Sequence, residues 1–481
     1  MTAAPARTYR LGEFHAFRAA GRRFLYLVPS GGIFELDGVA GLILDRAGEA
    51  ERSREELIRE IASSGVDAEH ATEVIDELVQ CGAVISGGSV PVMAQTPPAD
   101  FPLQTLVLNL TNQCNLSCQY CYEFGEDKVA TPEGKPKFMD FATAKSSVDF
   151  LLDRSAGRRH VHITFFGGET LMNFPLLKQV VAYAQQQVRA QSRSIDFSLT
   201  TNATLLTPAI IAFLSENRIG VTVSMDGPKE MHDQLRVFAN GRGSYDIVET
   251  KVRALVQNHR TRPITARVTL TSGVADVLRI FRHLKHDLGF HEVGFAPVTT
   301  SPNRLYAINE GGMDGVLDQF RVLANEYLEF ALRGERHGFS NVSDTLAELH
   351  QGISKSHPCG AGLGLVGVGP SGDIAPCHRF VDSDQHSLGH VSSGIDREKQ
   401  ASFLERGNIN RKYDCHTCWA RPVCAGGCHH EAFVRYGDTG HPNLHYCDWI
   451  RDWTDTCLRI YGAIAAQNPE FLNSFAERKA Q

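Results

Sequence analysis

The run Thr111-Asn112-Gln113-Cys114-Asn115-Leu116-Ser117-Cys118-Gln119-Tyr120-Cys121 sets three cysteines at CX3CX2C spacing. It follows directly on the apolar run 106–110, which has the length and composition of a strand. A loop at the C-terminal end of a strand is where α/β folds place their chemistry. Three thiolates can hold three irons. A [4Fe-4S] cube normally takes four, so one iron would stay open to an outside ligand. A zinc loop or simple buried thiols compete for the same spacing.

Further β-like runs at 161–166, 197–201, 221–225, 267–270 and 292–296 alternate with amphipathic segments of helix length. Six βα units predict an α/β fold with a parallel sheet, either doubly wound or curled into a partial barrel, and periodicity does not choose between them. The strand ends carry distinctive text. Phe165-Phe166-Gly167-Gly168-Glu169 closes the second, Thr201-Asn202 the third and Ser224-Met225-Asp226-Gly227-Pro228 the fourth, and Arg236 follows in His232-Asp233-Gln234-Leu235-Arg236.

Taken together, the three-cysteine loop and these strand ends resemble the radical S-adenosylmethionine (SAM) superfamily. The resemblance implies a partial (β/α)6 TIM-like barrel over residues 103–300 and a [4Fe-4S] cluster on Cys114, Cys118 and Cys121. It further implies that SAM binds the open iron and is cleaved to a 5'-deoxyadenosyl radical, with an electron donor such as flavodoxin or ferredoxin. By the same resemblance Tyr120, Gly167, Gly168, Glu169, Asn202, Ser224 and Arg236 would contact the cofactor. The Gly-Gly-Glu backbone and carboxylate would take the amino group, Ser224 the ribose and Arg236 the carboxylate.

Seven of the twelve cysteines crowd the C-terminal quarter, as C-x12-G-x4-C from Cys359 through Gly372 to Cys377, then Cys415, Cys418, Cys424, Cys428 and Cys447. This spacing resembles the SPASM domain, placed here at 359–481 with a C-terminal helix. The resemblance implies two auxiliary [4Fe-4S] clusters, one on Cys359, Cys377 and Cys428 and one on Cys415, Cys418, Cys424 and Cys447. The first would lack a fourth ligand, which Cys457, another residue or a substrate thiolate could supply. A pair of zinc ribbons is the competing reading. Cys81 and Cys457 otherwise read as small buried hydrophobes.

Residues 1–86 read as three strands (14–17, 24–28, 33–36) ahead of three helices, a winged-helix-like order. Ser53 and Glu56 form a capping box, and the stripe Val74, Ile75, Leu78, Val79 ends at Gly82. With 9 Arg, no Lys and 14 acidic residues in its first 90 positions, this end of the chain is a poor DNA binder. It resembles the PqqD-like module that captures a leader peptide as an added strand. Residues 87–102 read as a Gly/Pro-rich linker, and 301–358 as a helical bridge.

The chain has 481 residues and a net charge of -7, so its overall field gives no reason to expect nucleic acid or an anionic membrane as partner. Without an apolar leader or span it reads as cytoplasmic, where clustered thiols point to metal rather than disulfides. Among SPASM enzymes, the run 118–128 and Pro376-Cys377-His378-Arg379-Phe380 resemble the maturation proteins of quinohemoprotein amine dehydrogenase. That family joins Cys sulfurs to Asp or Glu methylene carbons as thioethers in a small subunit. Asp414, beside Cys415, is the candidate base for the thiol. The alternatives are a sactipeptide-type or other ribosomal-peptide maturase, a formylglycine-forming sulfatase activator, and a non-catalytic peptide-binding iron-sulfur scaffold. Sulfatase activators often carry Asp where this chain has His378, which weakens that alternative.

Overall fold

Alternation of buried and half-exposed residues makes each barrel strand two-faced, as in the iBiBiBi order of buried (B) and intermediate (i) residues along His160–Phe166. The computed structural model describes residues 8–86, 94–98 and 100–477. In chain order the N-terminal elements are β1 (Thr8–Leu11), β2 (Phe14–Ala19), β3 (Arg22–Leu27), β4 (Ile33–Leu36), α1 (Gly38–Glu49), β5 (Arg52–Ser53), α2 (Arg54–Ser63), α3 (Ala68–Cys81) and β6 (Val84–Ser86). The barrel follows as β7 (Thr105–Asn109), α4 (Phe141–Arg154), β8 (His160–Phe166), α5 (Phe174–Ala190), β9 (Ser194–Thr201), α6 (Pro208–Glu216), β10 (Gly220–Ser224), α7 (Lys229–Leu235), α8 (Tyr245–Asn258), β11 (Ile264–Leu270), α9 (Val277–Arg282) and β12 (Glu292–Pro297). Two long helices, α10 (Glu310–Leu332) and α11 (Ser340–Gln351), lead to β13 (Leu365–Val368), β14 (Asp373–Ala375), β15 (Gly389–His390), β16 (Gly394–Ile395), α12 (Arg397–Gly407), α13 (Arg421–Cys424), α14 (His429–Tyr436), α15 (Cys447–Gln467) and α16 (Asn473–Glu477).

Strands β7 to β12 pair in parallel and in sequence order, so all six expected strands form one sheet. Their buried faces pack on the surrounding helices, while Thr164, Ser198, Thr222, Thr265 and Arg267 stand on the opposite, inner face. That inner face is polar: His162 and Thr164 on β8 both meet the Ser198 hydroxyl of β9, at 2.8 and 3.2 Å. Side-chain caps fix the helix starts, Asp140 accepting from Thr143 N for α4 and Thr207 from Ile210 N for α6.

The sheet does not stop at the barrel. β13 pairs in parallel with β7, and β14, β15 and β16 extend the same sheet to ten strands. The cysteine-rich region is thus hydrogen-bonded to the barrel's first strand. The described part of the expected linker is likewise held: Asn410 Nδ2 donates to Ala94 O at 2.8 Å and Asn408 Nδ2 to Thr96 Oγ1 at 2.7 Å. Residues 87–93 and 99 lie outside the described residues.

At the N-terminus the three expected strands are β2, β3 and β4, and the Ser53–Glu56 capping box and the left-handed Gly82 cap (φ +82°) form as read. Three short strands were not expected, β5-β1-β6, which close over the helices as a second sheet. Runs of two to four residues are too short to carry period-two alternation. The module is not a free appendage. Its β2–β3 face packs on α15, where a Cβ on Gly462 would come within 3.0 Å of Ala19 and 3.1 Å of Phe17. His15 stacks on Trp419 at 3.7 Å and bonds Asp455 at 2.7 Å.

Candidate functional site

The Gly-Gly-Glu turn and the cysteine loop are packed backbone on backbone at the mouth of the barrel. Gly168 N donates to Thr111 O at 3.0 Å and Glu169 N to Gln113 O at 2.9 Å. A Cβ on Gly167 would lie 2.4 Å from Thr111 O, and one on Gly168 2.3 Å from Gln113 O, so side chains are excluded at both. Gly167 also takes φ +133°, which L residues rarely adopt.

Glu169 is buried, with its carboxylate turned into the protein. Oε1 accepts from Leu171 N at 3.0 Å and Thr201 Oγ1 at 2.6 Å, and Oε2 from Asn202 N at 2.7 Å. It therefore ties the ends of β8 and β9 together and fixes Asn202. Asn202 Nδ2 in turn donates to Asn115 Oδ1 at 3.0 Å and reaches Cys114 Sγ at 3.8 Å.

Across the loop, Arg236 is ion-paired with Asp226, Nε to Oδ2 at 2.7 Å, and both are buried. Its Nη1 reaches Cys118 Sγ at 4.0 Å and its guanidinium lies 5.4 Å from the Tyr120 ring centre. Tyr120 OH also donates to Asp226, whose second oxygen accepts from Thr269 N at 2.9 Å. Asp226 organises this side, a role that nothing within the sequence run Ser224–Pro228 announces. Ser224 sits half-buried at the end of β10, in register with Arg267 of β11.

The loop thiols resist ionisation. Burial pushes Cys114 up to about 12 and Cys121 up to about 11, and Cys118 also rises. Bound cations reverse that preference. Cys114 and Cys118 line an 830 Å³ cavity with Gln113, Phe124 and Arg304. Arg304 anchors the wall by bonding Asp127 at 2.9 Å and by pairing with Glu126.

Gly372 turns the β13–β14 hairpin at φ +91°, delivering Cys377 just beyond β14. The C-terminal thiols also resist ionisation. Cys377 is pushed up to about 12, first by burial and then by the charges of Cys428 and Cys359, among other contributions. Cys415 is pushed up to about 11 by burial, with Cys424, Cys418 and Cys447 as its thiol neighbours. Cys359, Cys415, Cys418, Cys424, Cys428 and Cys447 line one 540 Å³ cavity. Lys412 is buried beside it, within electrostatic reach of Cys415, Cys424 and Cys428, a setting that suits anionic clusters. Among the described residues no three His, Cys, Asp or Glu side chains close on a single metal ion. The thiols instead rim cavities, the arrangement that fits multi-iron clusters in which each iron takes its own ligand.

The remaining two expected participants lie in different settings. Cys457 is fully buried in the core, its thiol raised by burial and bonded to Thr345, with no other thiol among its influences. Ten residues of α15 put it about 15 Å along the helix from Cys447. Asp414 is an exposed residue at the cavity rim, near Cys447. The junction between loop and C-terminal region joins segments far apart in sequence and carries no local signal. There the Tyr122 ring meets His378 at 5.9 Å and His430 at 5.8 Å, with Arg379 4.9 Å from its centre.

Residues 108–276 match the Radical SAM superfamily model. A serine-type anaerobic sulfatase-maturating enzyme of Bacteroides thetaiotaomicron is 27% identical over 379 residues, covering 74% of this chain and 89% of that protein. The solved structure of native anSMEcpe with bound AdoMet and Cp18Cys peptide has TM-score 0.62 at 21% identity, over 78% of this chain and 99% of that one. That of Streptococcus suis SuiB bound to precursor peptide SuiA has TM-score 0.51 at 13% identity, over 92% and 99%. The match to the Radical SAM superfamily model runs from the end of β7 to the start of α9, the part of the parallel sheet that carries the three-cysteine loop and the Gly-Gly-Glu turn, and the solved structures share the fold.

Proposed function

We propose that this protein is a maturase that crosslinks a ribosomally made peptide or small subunit, joining Cys sulfur to Asp or Glu methylene carbon as a thioether. The observation that carries the reading is the meeting of the three-cysteine loop with the Cys377 segment through Tyr122, His378 and Arg379. A radical source and an electron outlet would then share one chamber. With SAM and the clusters bound, the chemistry supplied is reductive SAM cleavage and hydrogen abstraction from an unactivated carbon. The protein's own residues position and exclude. Gly167 and Gly168 let the loop approach, Glu169 fixes Asn202 beside Cys114, and Arg236 places a positive charge at Cys118.

In this reading Cys359, Cys377 and Cys428 hold one auxiliary cluster, with the fourth position left to the substrate thiolate because Cys457 is packed in the core. Cys415, Cys418, Cys424 and Cys447 hold the other. The leader peptide would add to β4, where a 520 Å³ groove between β4 and α3 is lined by Phe34, Leu36, Val74 and Leu78.

Formylglycine formation is the second reading, and the sulfatase-maturating relative favours it over the first. Against it stands His378, which burial and Arg379 hold at about 3, leaving a feeble base where sulfatase activators often have Asp. Tandem mass spectrometry decides between them, using a peptide deuterated at its Asp and Glu methylenes. Loss of two hydrogens, label in 5'-deoxyadenosine and one alkylation-resistant Cys support the thioether; conversion of Cys or Ser without a crosslink overturns it.

A further inference from the structure

The N-terminal module meets the cysteine-rich region next to the thiols, and no step above uses that contact. Trp419 and Arg421 stand in the segment between Cys418 and Cys424, and both are held by residues at the start of β2. His15 stacks on Trp419 with 3.7 Å between ring centres and 10° between planes. Its Nε2 lies 2.7 Å from Asp455 Oδ1, about two turns along α15 from Cys447. Glu13, whose carbonyl accepts from Val28 N at 2.9 Å, pairs with Arg421 through its carboxylate. The other arm of Arg421 donates to Cys418 O at 3.2 Å, and the residue lines the same 540 Å³ cavity as Cys415, Cys418, Cys424 and Cys447. Phe17, Phe24 and Tyr26 pack into the core of the barrel and C-terminal region rather than that of the module's helices, so β2 and β3 are fixed to the body.

We infer that the start of β2 is part of the auxiliary site: Glu13 and His15 are positioning residues that fix the Cys418–Cys424 segment and the helix of Cys447, and the Glu13 carboxylate cancels the charge that Arg421 brings to the thiol cavity. The role rests on the reading that Cys415, Cys418, Cys424 and Cys447 hold a cluster. Arg421 cannot shed its proton, so neutralising Glu13 leaves a positive charge beside the cavity. A positive charge favours the more negative, reduced state of a cluster and so raises its potential. The N-terminal module is then more than a catcher of leader peptide, because β2 also sets how readily the site accepts an electron.

The test is a redox titration followed by electron paramagnetic resonance on the full reconstituted chain, with Cys114, Cys118 and Cys121 changed to Ala so that only the auxiliary clusters are read. Added to this parent, Glu13→Gln should raise the potential of one auxiliary signal, its reduced-to-oxidised ratio at fixed poise rising at least about tenfold, or about 59 mV for one electron. The double change Glu13→Gln/Arg421→Gln should return to the parent value, which the loss of two merely structural contacts would not do. If Glu13→Gln loads less iron, Glu13→Asp supplies the reading: it keeps the charge and should keep both the iron and the potential. His15→Ala should lower the iron content from about eight toward about four per chain. An unshifted potential in Glu13→Gln, a double variant shifted as far as the single one, loss of iron in Glu13→Asp, or full iron in His15→Ala would overturn the role of β2. Zinc in place of iron in the parent would sink the cluster reading itself, a result read before any residue of the N-terminal module is changed.

Discussion

Replacing Asp226 by Asn strips the counter-charge from Arg236 while keeping the shape. Arg236 and Asp226 are 8% and 1% exposed, and Arg236 cannot shed its proton. Breaking a buried pair by removing one partner typically costs about 3–5 kcal/mol, because the remaining charge is left uncompensated. For a transition of barrel size that is a fall in melting temperature of roughly 6–20 °C. The same change uncovers a positive charge beside the loop, since Arg236 Nη1 lies 4.0 Å from Cys118 Sγ. Unit charges 4 Å apart interact by about 4 kcal/mol near a protein surface; at twice that distance the figure is about 2 kcal/mol, or roughly 90 mV for one electron.

Asp226→Asn should therefore melt earlier and, once reconstituted, take its electron at a higher potential. Differential scanning fluorimetry under nitrogen and redox titration followed by electron paramagnetic resonance read the two effects separately. The double variant Asp226→Asn/Arg236→Met should recover most of the stability, since it removes the buried charge that the single variant leaves uncompensated. An unchanged melting temperature in the single variant, or a double variant less stable than the single one, would refute the argument that the pair is a matched buried charge.

Reconstituted protein should carry about twelve iron and twelve sulfide per chain, falling to about eight of each when Cys114, Cys118 and Cys121 are all changed to Ala, with SAM cleavage abolished; zinc in place of iron at the C-terminal cysteines would defeat the auxiliary-cluster proposal. Gly168→Ala puts a Cβ 2.3 Å from Gln113 O, so the loop must shift at a cost of about 1–3 kcal/mol, and iron content should drop; full iron occupancy would show the contact to be soft. For Asp127, burial pushes the carboxyl up, but hydrogen bonds from Arg304, Thr300 and Ser301 outweigh it and hold it at about 2. A lowered folded-state value stabilises above the ordinary carboxyl range and is lost as pH falls, so in the apoprotein proteolysis around residues 299–306 should accelerate between about pH 4 and pH 2; a flat profile there would show that Asp127 does not anchor this segment. Phe34→Asp, at the β4 edge, should weaken binding of a leader-bearing peptide at least about tenfold by fluorescence anisotropy; unchanged affinity would reduce the N-terminal module to a cap.

What the sequence disclosed and what it withheld divide along a physical line. Strand positions and the capping box are set by neighbours a few residues apart, and all six barrel strands emerged within a few residues of their expected bounds. Cysteine spacing is local too, and it was legible, whereas the single cavity that gathers Cys359 and Cys428 with Cys415, Cys418, Cys424 and Cys447 is a product of the fold. The pairing of β13 with β7 joins segments some 260 residues apart, and no periodicity announces it. Glu169 shows the same limit within a motif: the sequence located it, but only the fold reveals that its carboxylate faces Thr201 and Asn202. Arg267 is the hardest case, because in a strand pattern a charged residue reads as the solvent side. In a barrel the polar face of the strand is also the inner lining, so an exposed charge in mid-strand need not mark the outside of the molecule.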